Sequence, residues 1–111
     1  MKEIKVLLLQ GGMEVIAEIE PIHSASLLIG EEGPVVGYTL YKPFRILPVP
    51  VIQPTQQGIN INITPQMIPL MGAVMQSWIE IKASDIIGSP MEANKAFESG
   101  YVQRTTGIAL G

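Results

Sequence analysis

From Met13 to Glu20 the chain alternates: Met13, Val15, Ala17 and Ile19 fall on one side, Glu14, Glu18 and Glu20 on the other. A period of two sustained over that length is the pattern of a strand with one dry face and one wet one. Before it stands Ile4-Lys-Val-Leu-Leu-Leu9, and between the two runs lies Gln10-Gly11-Gly12. Glycines accept the positive φ a tight turn needs, so Ile4–Ile22 is predicted to be a β-hairpin. Ile4, Val6 and Leu8 are expected to face the core with the second limb, leaving Leu7 and Leu9 on the other side. The first strand is apolar on both faces and therefore expects cover on both.

His23–Pro34 is predicted to be a loop with an exposed tip at Gly30-Glu31-Glu32-Gly33, with room for a short strand at Leu27–Ile29. Val35–Tyr41 resumes strand character, Lys42-Pro43 interrupts it, and Phe44–Gln53 continues it. Prolines 48, 50 and 54 cannot donate to a ladder, so this second piece is predicted to be an edge or bent strand. After Gln56-Gln57-Gly58, Ile59, Ile61 and Ile63 share one face of a further strand and Asn60 and Asn62 the other. Thr64–Gly72 reads as a Pro-broken connection. Trp78–Lys82 and Asp85–Gly88 read as short strands around Ala83-Ser84.

Ser89-Pro90-Met91-Glu92 has the form of a capping box with Pro at the first helical position. Ala93, Ala96, Phe97 and Tyr101 follow at helical spacing, so a terminal helix is predicted to dock one stripe on the sheet. Gly100 is expected to weaken its last turn by about 1 kcal/mol relative to Ala. The sum is a mainly β chain of five or six mostly antiparallel strands and one C-terminal helix, which suggests a small barrel or strongly bent sheet. The predicted organisation is a β unit over 1–88, a helix over 89–104 and a frayed tail over 105–111.

Charged residues make up only 15% of the 111, while 47% are hydrophobic and the mean hydropathy is +0.32. Ordinary soluble domains carry about 25% charge. A single small domain has too much surface to hide that many apolar side chains, so self-association is expected. The formal charge of −3 is a poor general trap for nucleic acid. With no cysteine, disulfides, thiolate metal sites and thiol nucleophiles are excluded. The chain shows neither a secretory leader nor a run long enough to span a membrane, since Met67–Met75 is broken by Pro69 and Gly72. A cytoplasmic protein without a membrane partner is expected.

The segment Leu9-x-x-Gly12-x-Glu14-Val15-Ile16-Ala17-x-Ile19, with Gly37-Tyr38-x-Leu40-x-Lys42-Pro43 beginning the next strand, resembles the Sm-like proteins of marine cyanophages. Met67-Ile-Pro-Leu, the short strand near Ile79–Ile81, Pro90 and Tyr101 extend the likeness over most of the chain. The resemblance implies a bent five-stranded SH3-like (Sm-like) barrel in the cytoplasm of an infected bacterial host. It also implies a homo-oligomeric ring of about five to seven copies, joined edge to edge by late strands. Ile59, Ile61, Ile63, Ile79 and Ile81 are the expected interface residues of such a ring. It brings single-stranded RNA as a candidate ligand, but the acidic-x-x-Met-Asn and Arg-Gly motifs of RNA-binding Sm proteins are missing here. A structural or protein-interaction ring is the alternative.

Chemistry is sparse. His23 is the sole histidine, and no second nitrogen or sulfur ligand accompanies it. Glu14, Glu18 and Glu20 read as a solvated strand face, no serine has a His–acid partner pattern, and no glycine pair opens a helix after a strand. No enzyme, cofactor or metal is expected. Stacking of unpaired bases needs aromatics beside positive charge. Tyr38, Tyr41, Lys42, Phe44 and Arg45 form one such cluster, and Trp78 with Lys82 a second. Tyr41, Lys42, Arg45, Trp78 and Lys82 are thus the candidate RNA contacts.

Overall fold

The computed structural model describes residues 2–25, 32–70 and 77–106. In chain order the strands are β1 (Glu3–Leu8), β2 (Glu14–His23), β3 (Val35–Thr55), β4 (Gly58–Pro69) and β5 (Trp78–Lys82). A 3₁₀ turn (Ala83–Asp85), the short β6 (Met91–Glu92) and helix α1 (Lys95–Thr106) complete it. All pairings are antiparallel, in the order β4-β3-β2-β1-β6, with β5 also paired to β3. The ladder does not close among the described residues. An isolated bridge, Leu9 to Ile86, carries the chain after β5 back to the end of β1.

The opening hairpin forms as its alternation requires, but its faces are reversed. Leu7 pairs with Val15 and Lys5 with Ala17. Leu7, and not Leu8, therefore joins Val15, Ala17, Ile19, Leu40 and Ile86 in the main core, with Leu9 packed beside them. Ile4, Val6 and Leu8 share the opposite face with Ile16. Because β1 is apolar on both sides, its own pattern carries no phase, and the turn sets the register instead. That turn is held by Leu9 N–H to Met13 O (2.8 Å) and Gly12 N–H to Leu9 O (3.0 Å), with Gly11 and Gly12 at φ 95° and 90°. Leu7→Ala is accordingly expected to cost about 3 kcal/mol and Val6→Ala about 1 kcal/mol, measured by chemical denaturation.

Near its middle β3 bends. Ile16 opposes Phe44 and Glu18 opposes Tyr41, so Lys42 and Pro43 face the single residue Ala17 across a bulge. Lys42 adopts φ 47°, a conformation that L residues rarely take. Its N–H donates to Ser77 O at 2.7 Å, which holds the bend. Before the bulge β3 pairs with β2 and β5; beyond it β3 stays paired with β2 as far as Ile46 and pairs with β4 in one unbroken register from Phe44–Pro69 to Thr55–Gly58.

Further expectations are corrected. Thr64–Pro69 is strand, not connection. Asp85–Gly88 is the end of the 3₁₀ turn and the Ile86 bridge, not a strand. Ser89-Pro90 does not start the helix: Met91 and Glu92 pair with Val6 and Lys5 of β1, and the cap is Asn94, whose side-chain oxygen accepts from Phe97 N–H at 3.0 Å. The expected strand at Leu27–Ile29 and residues 107–111 of the expected tail lie outside the described residues, while Thr105 and Thr106 belong to the last turn of α1 and not to a frayed tail.

Helix α1 seals the face opposite the main core. Tyr101 is fully buried there, and its ring meets Phe44 edge-on at 5.8 Å and 88°. Its hydroxyl donates to Tyr41 O at 2.8 Å and accepts from Glu18 N–H at 3.1 Å, so one side chain ties α1 to β2 and β3 at the bulge. Arg104 Nη1 donates to Met67 O at 2.9 Å, fastening α1 to β4.

Candidate interaction surfaces

Two regions stand apart from this packing: the outer halves of β3 and β4, and a polar-aromatic face around Tyr41. The register makes the first a two-stranded arm. Pro54–Ile59, Ile52–Ile61, Pro50–Ile63, Pro48–Pro65, Ile46–Met67 and Phe44–Pro69 are successive partners of one phase, so one face of the arm is apolar from tip to root. Helix α1 covers its root at Phe44 and Met67 and nothing among the described residues covers the rest. Ile59 and Ile63 are each 72% exposed, Ile52 65% and Ile61 61%. From Ile46 to Ile79 the sequence contains no Asp, Glu, Lys, Arg or His. A radius of gyration of 17.4 Å and a 70 Å long axis record the projection; a compact chain of this length has a radius near 13 Å.

Of the expected interface isoleucines, Ile59, Ile61 and Ile63 are on this arm. Ile79 and Ile81 are half-buried and pack from β5 against the main core, so their side chains serve the fold.

The second region brings some of the expected RNA contacts together. Tyr41 and Trp78 are cross-strand partners, and Lys2 Nζ sits 3.9 Å from the centroid of the Tyr41 ring. Lys82 lies on the same face of β5 as Trp78, with Glu80 between them. Arg45 is elsewhere: it pairs with Val15 and Ile68 across the bulge, on the face of the main core. Lys42 leaves the strand direction at its bend and reaches Thr105 O at 3.4 Å. Tyr38 packs against the main core and Phe44 against Tyr101.

Electrostatics decide what this face can hold. Glu18 opposes Tyr41, Glu20 opposes Thr39 from β2, and Glu80 opposes Thr39 from β5. The Tyr41 hydroxyl hydrogen-bonds Glu20, and that bond, with some desolvation and the nearby charges of Glu20 and Glu80, raises its pKa above the ordinary 10.0. Three carboxylates beside the aromatic pair repel an incoming phosphate that Lys2 and Lys82 would attract. Asp85 is engaged in the fold, its Oδ2 accepting from Lys82 N–H at 3.0 Å.

No arrangement for catalysis appears among the described residues. His23 fastens a loop, with Nδ1 2.8 Å from Gly33 O and Nε2 3.2 Å from Glu32 Oε2. No three His, Asp or Glu side chains gather as metal ligands there. The 600 Å³ cavity at the arm tip is lined by Thr55, Gln56, Gln57, Ile59 and Asn60, with no ionisable group. No described helix is long and apolar enough to cross a membrane. No family model matches the chain, and no curated protein does either.

The arm was hidden from sequence reasoning by its prolines, which look like breaks in the strand. Their spacing held the signal: Pro48, Pro50 and Pro54 are an even number of residues apart, as are Pro65 and Pro69. A strand tolerates proline at every second position, where the N–H points away from its partner.

Proposed function

We propose that this chain is a non-catalytic assembly protein, a small β domain that works as a homo-oligomer by presenting an uncharged hairpin arm to other protein surfaces. The arm carries the reading: an apolar face exposed at 61–72% on four isoleucines is a liability for a lone soluble chain. An edge strand without charge or an outer cover is likewise the kind that natural proteins pair or hide. Light scattering or native mass spectrometry is expected to give a mass at a multiple of 12.0 kDa; a monomer at about 100 μM would sink the proposal, since stable interfaces hold far below that concentration.

An Sm-like barrel, and a ring built from it, draw support from the bend of β3 at Lys42 and from the Leu9–Ile86 bridge, which turns the sheet back toward β1. The RNA-binding form of that ring draws support from one observation, the Tyr41–Trp78 pair with Lys2 over the Tyr41 ring. Glu18, Glu20 and Glu80 weigh against it. Fluorescence anisotropy with a short oligouridylate is therefore expected to show no binding at about 150 mM salt. Binding that persists at that salt and disappears in Trp78→Ala would restore the RNA reading.

A further inference from the structure

We propose that two copies of this chain join through the outer edges of their β4 strands, antiparallel, about a two-fold axis at Ile61. The proposal rests on the assembly reading above and deepens it by naming the partner, a second copy, and the register.

The prolines identify which edge is open. In the arm's ladder Pro48, Pro50 and Pro54 of β3 and Pro65 and Pro69 of β4 all belong to pairs of one phase. Proline has no N–H, so this is the phase of the non-hydrogen-bonded pairs, whose backbone groups point away from the hairpin. On the β3 side the outward donors at 48, 50 and 54 are missing, which closes that edge to another strand. On the β4 side the same phase holds Ile59, Ile61 and Ile63, which keep their outward N–H and C=O. Pro65 ends the run at one side and the Gln56-Gln57 turn ends it at the other. The open edge is therefore a short window centred on Ile61.

That window is a palindrome. Ile59-Asn60-Ile61-Asn62-Ile63 reads the same in both directions, and an antiparallel two-fold contact sets each residue i opposite its mirror position. Ile61 meets Ile61 of the second copy and Ile59 meets Ile63, as hydrogen-bonded pairs that each exchange two backbone bonds. Asn60 meets Asn62 as the closer, non-hydrogen-bonded pair on the other face, where carboxamides bond to each other. The isoleucines of both copies then line one face with Ile52, and two exposed hairpins become one four-stranded sheet. Two strands alone are marginal in water, whereas three or more with an apolar face are not.

Charge agrees with a second copy as the occupant. The body carries the chain's whole net charge of −3, while the arm carries none, so like arms meet without repulsion.

Ile61→Pro tests the edge. Its N–H points outward, so the substitution takes the place that Pro48, Pro50 and Pro54 already occupy and leaves the hairpin's own bonds intact. The variant is expected to be monomeric by light scattering with an unchanged circular dichroism spectrum, while Ile61→Val stays dimeric. A spin label on Gln56→Cys tests the register: ten strand residues separate the two labels, so electron-electron resonance is expected to give one distance near 35 Å. An oligomeric Ile61→Pro, or several label distances as in a head-to-tail ring, would overturn the two-fold while leaving the assembly reading intact. A monomeric wild type would overturn both.

Discussion

Replacing Tyr101 by Ala is expected to be the most damaging single substitution in the helix, lowering stability by about 4 kcal/mol in chemical denaturation. Tyr101 is fully buried and is the only fully buried residue of α1 among those described. Truncation removes its edge-on contact with Phe44 and leaves a ring-sized cavity between helix and sheet. It also strands two backbone groups, the Tyr41 carbonyl and the Glu18 N–H, that the hydroxyl satisfies together. Tyr101→Phe isolates that second contribution. The ring stays, the two polar groups lose their partner, and the expected cost is about 1–3 kcal/mol. Because the hydroxyl spans the bulge, amide exchange at Glu18 should quicken more in Tyr101→Phe than exchange within the β1–β2 hairpin. Equal stability of the Phe variant and the wild type would mean that the phenol bonds contribute nothing net.

The same phenol gives the fold a high-pH limit. Burial pushes the Tyr101 pKa up to about 12, the Glu18 N–H bond pulls it down somewhat, and the Glu18 charge raises it. In the unfolded chain it titrates near 10. Below pH 10 both states hold the proton and the contribution is complete. Between about pH 10 and 12 the unfolded state releases its proton first, so stability falls as pH rises. The denaturation midpoint of the wild type should therefore decline through that window more steeply than that of Tyr101→Phe. Tyr41, raised through its bond to Glu20, leaves a shallower slope of the same sign in both proteins.

Local patterns in the sequence located the opening hairpin and β5, but missed the second half of β4 and β6 and placed a strand at Asp85–Gly88 that is not there. The period of two in β2 and the bounds of β5 match the structure, whereas the break expected at Lys42-Pro43 is a bulge within the single strand β3. The face of β1 was not legible, because a strand apolar on both sides has no phase until a turn fixes its register. Ser89 and Asn94 both carry capping chemistry; the choice between them is tertiary, since Met91 and Glu92 are drawn into the edge of β1. The candidate RNA contacts share the same lesson. Tyr41 and Trp78 are distant in sequence and meet through the β3–β5 register, and so do the carboxylates that oppose phosphate. Arg45 was separated from Tyr41 by a bulge whose extra residue the sequence marks but whose effect on faces it does not. Gly100 sits where a Cβ would meet only the terminal methyl of the flexible Met67 side chain, which can swing aside, so the structure gives the glycine no packing role beyond its expected weakening of the helix.

Excising the arm is expected to change the molecule's shape far more than its stability. If Pro48–Pro65 is replaced by Asn-Gly, Leu47 and Gln66 remain as partners and a two-residue turn closes the shortened hairpin. No residue of the excised segment is buried, and those of β4 are exposed throughout up to Pro65. No residue of the main core or of the Tyr101 clamp lies between Pro48 and Pro65, so neither loses a partner. About eight residues of hairpin length disappear, roughly 27 Å of projection. The radius of gyration measured by small-angle scattering for the shortened chain should therefore be about 13 Å, against 17.4 Å for the intact single chain and more for an assembly joined through its arms. The melting temperature should stay within a few degrees, because surface substitutions away from packed features are close to neutral. A shortened chain that fails to fold would show that the arm supports the body, and that its exposed isoleucines are part of the fold's own stability and not a surface reserved for another chain.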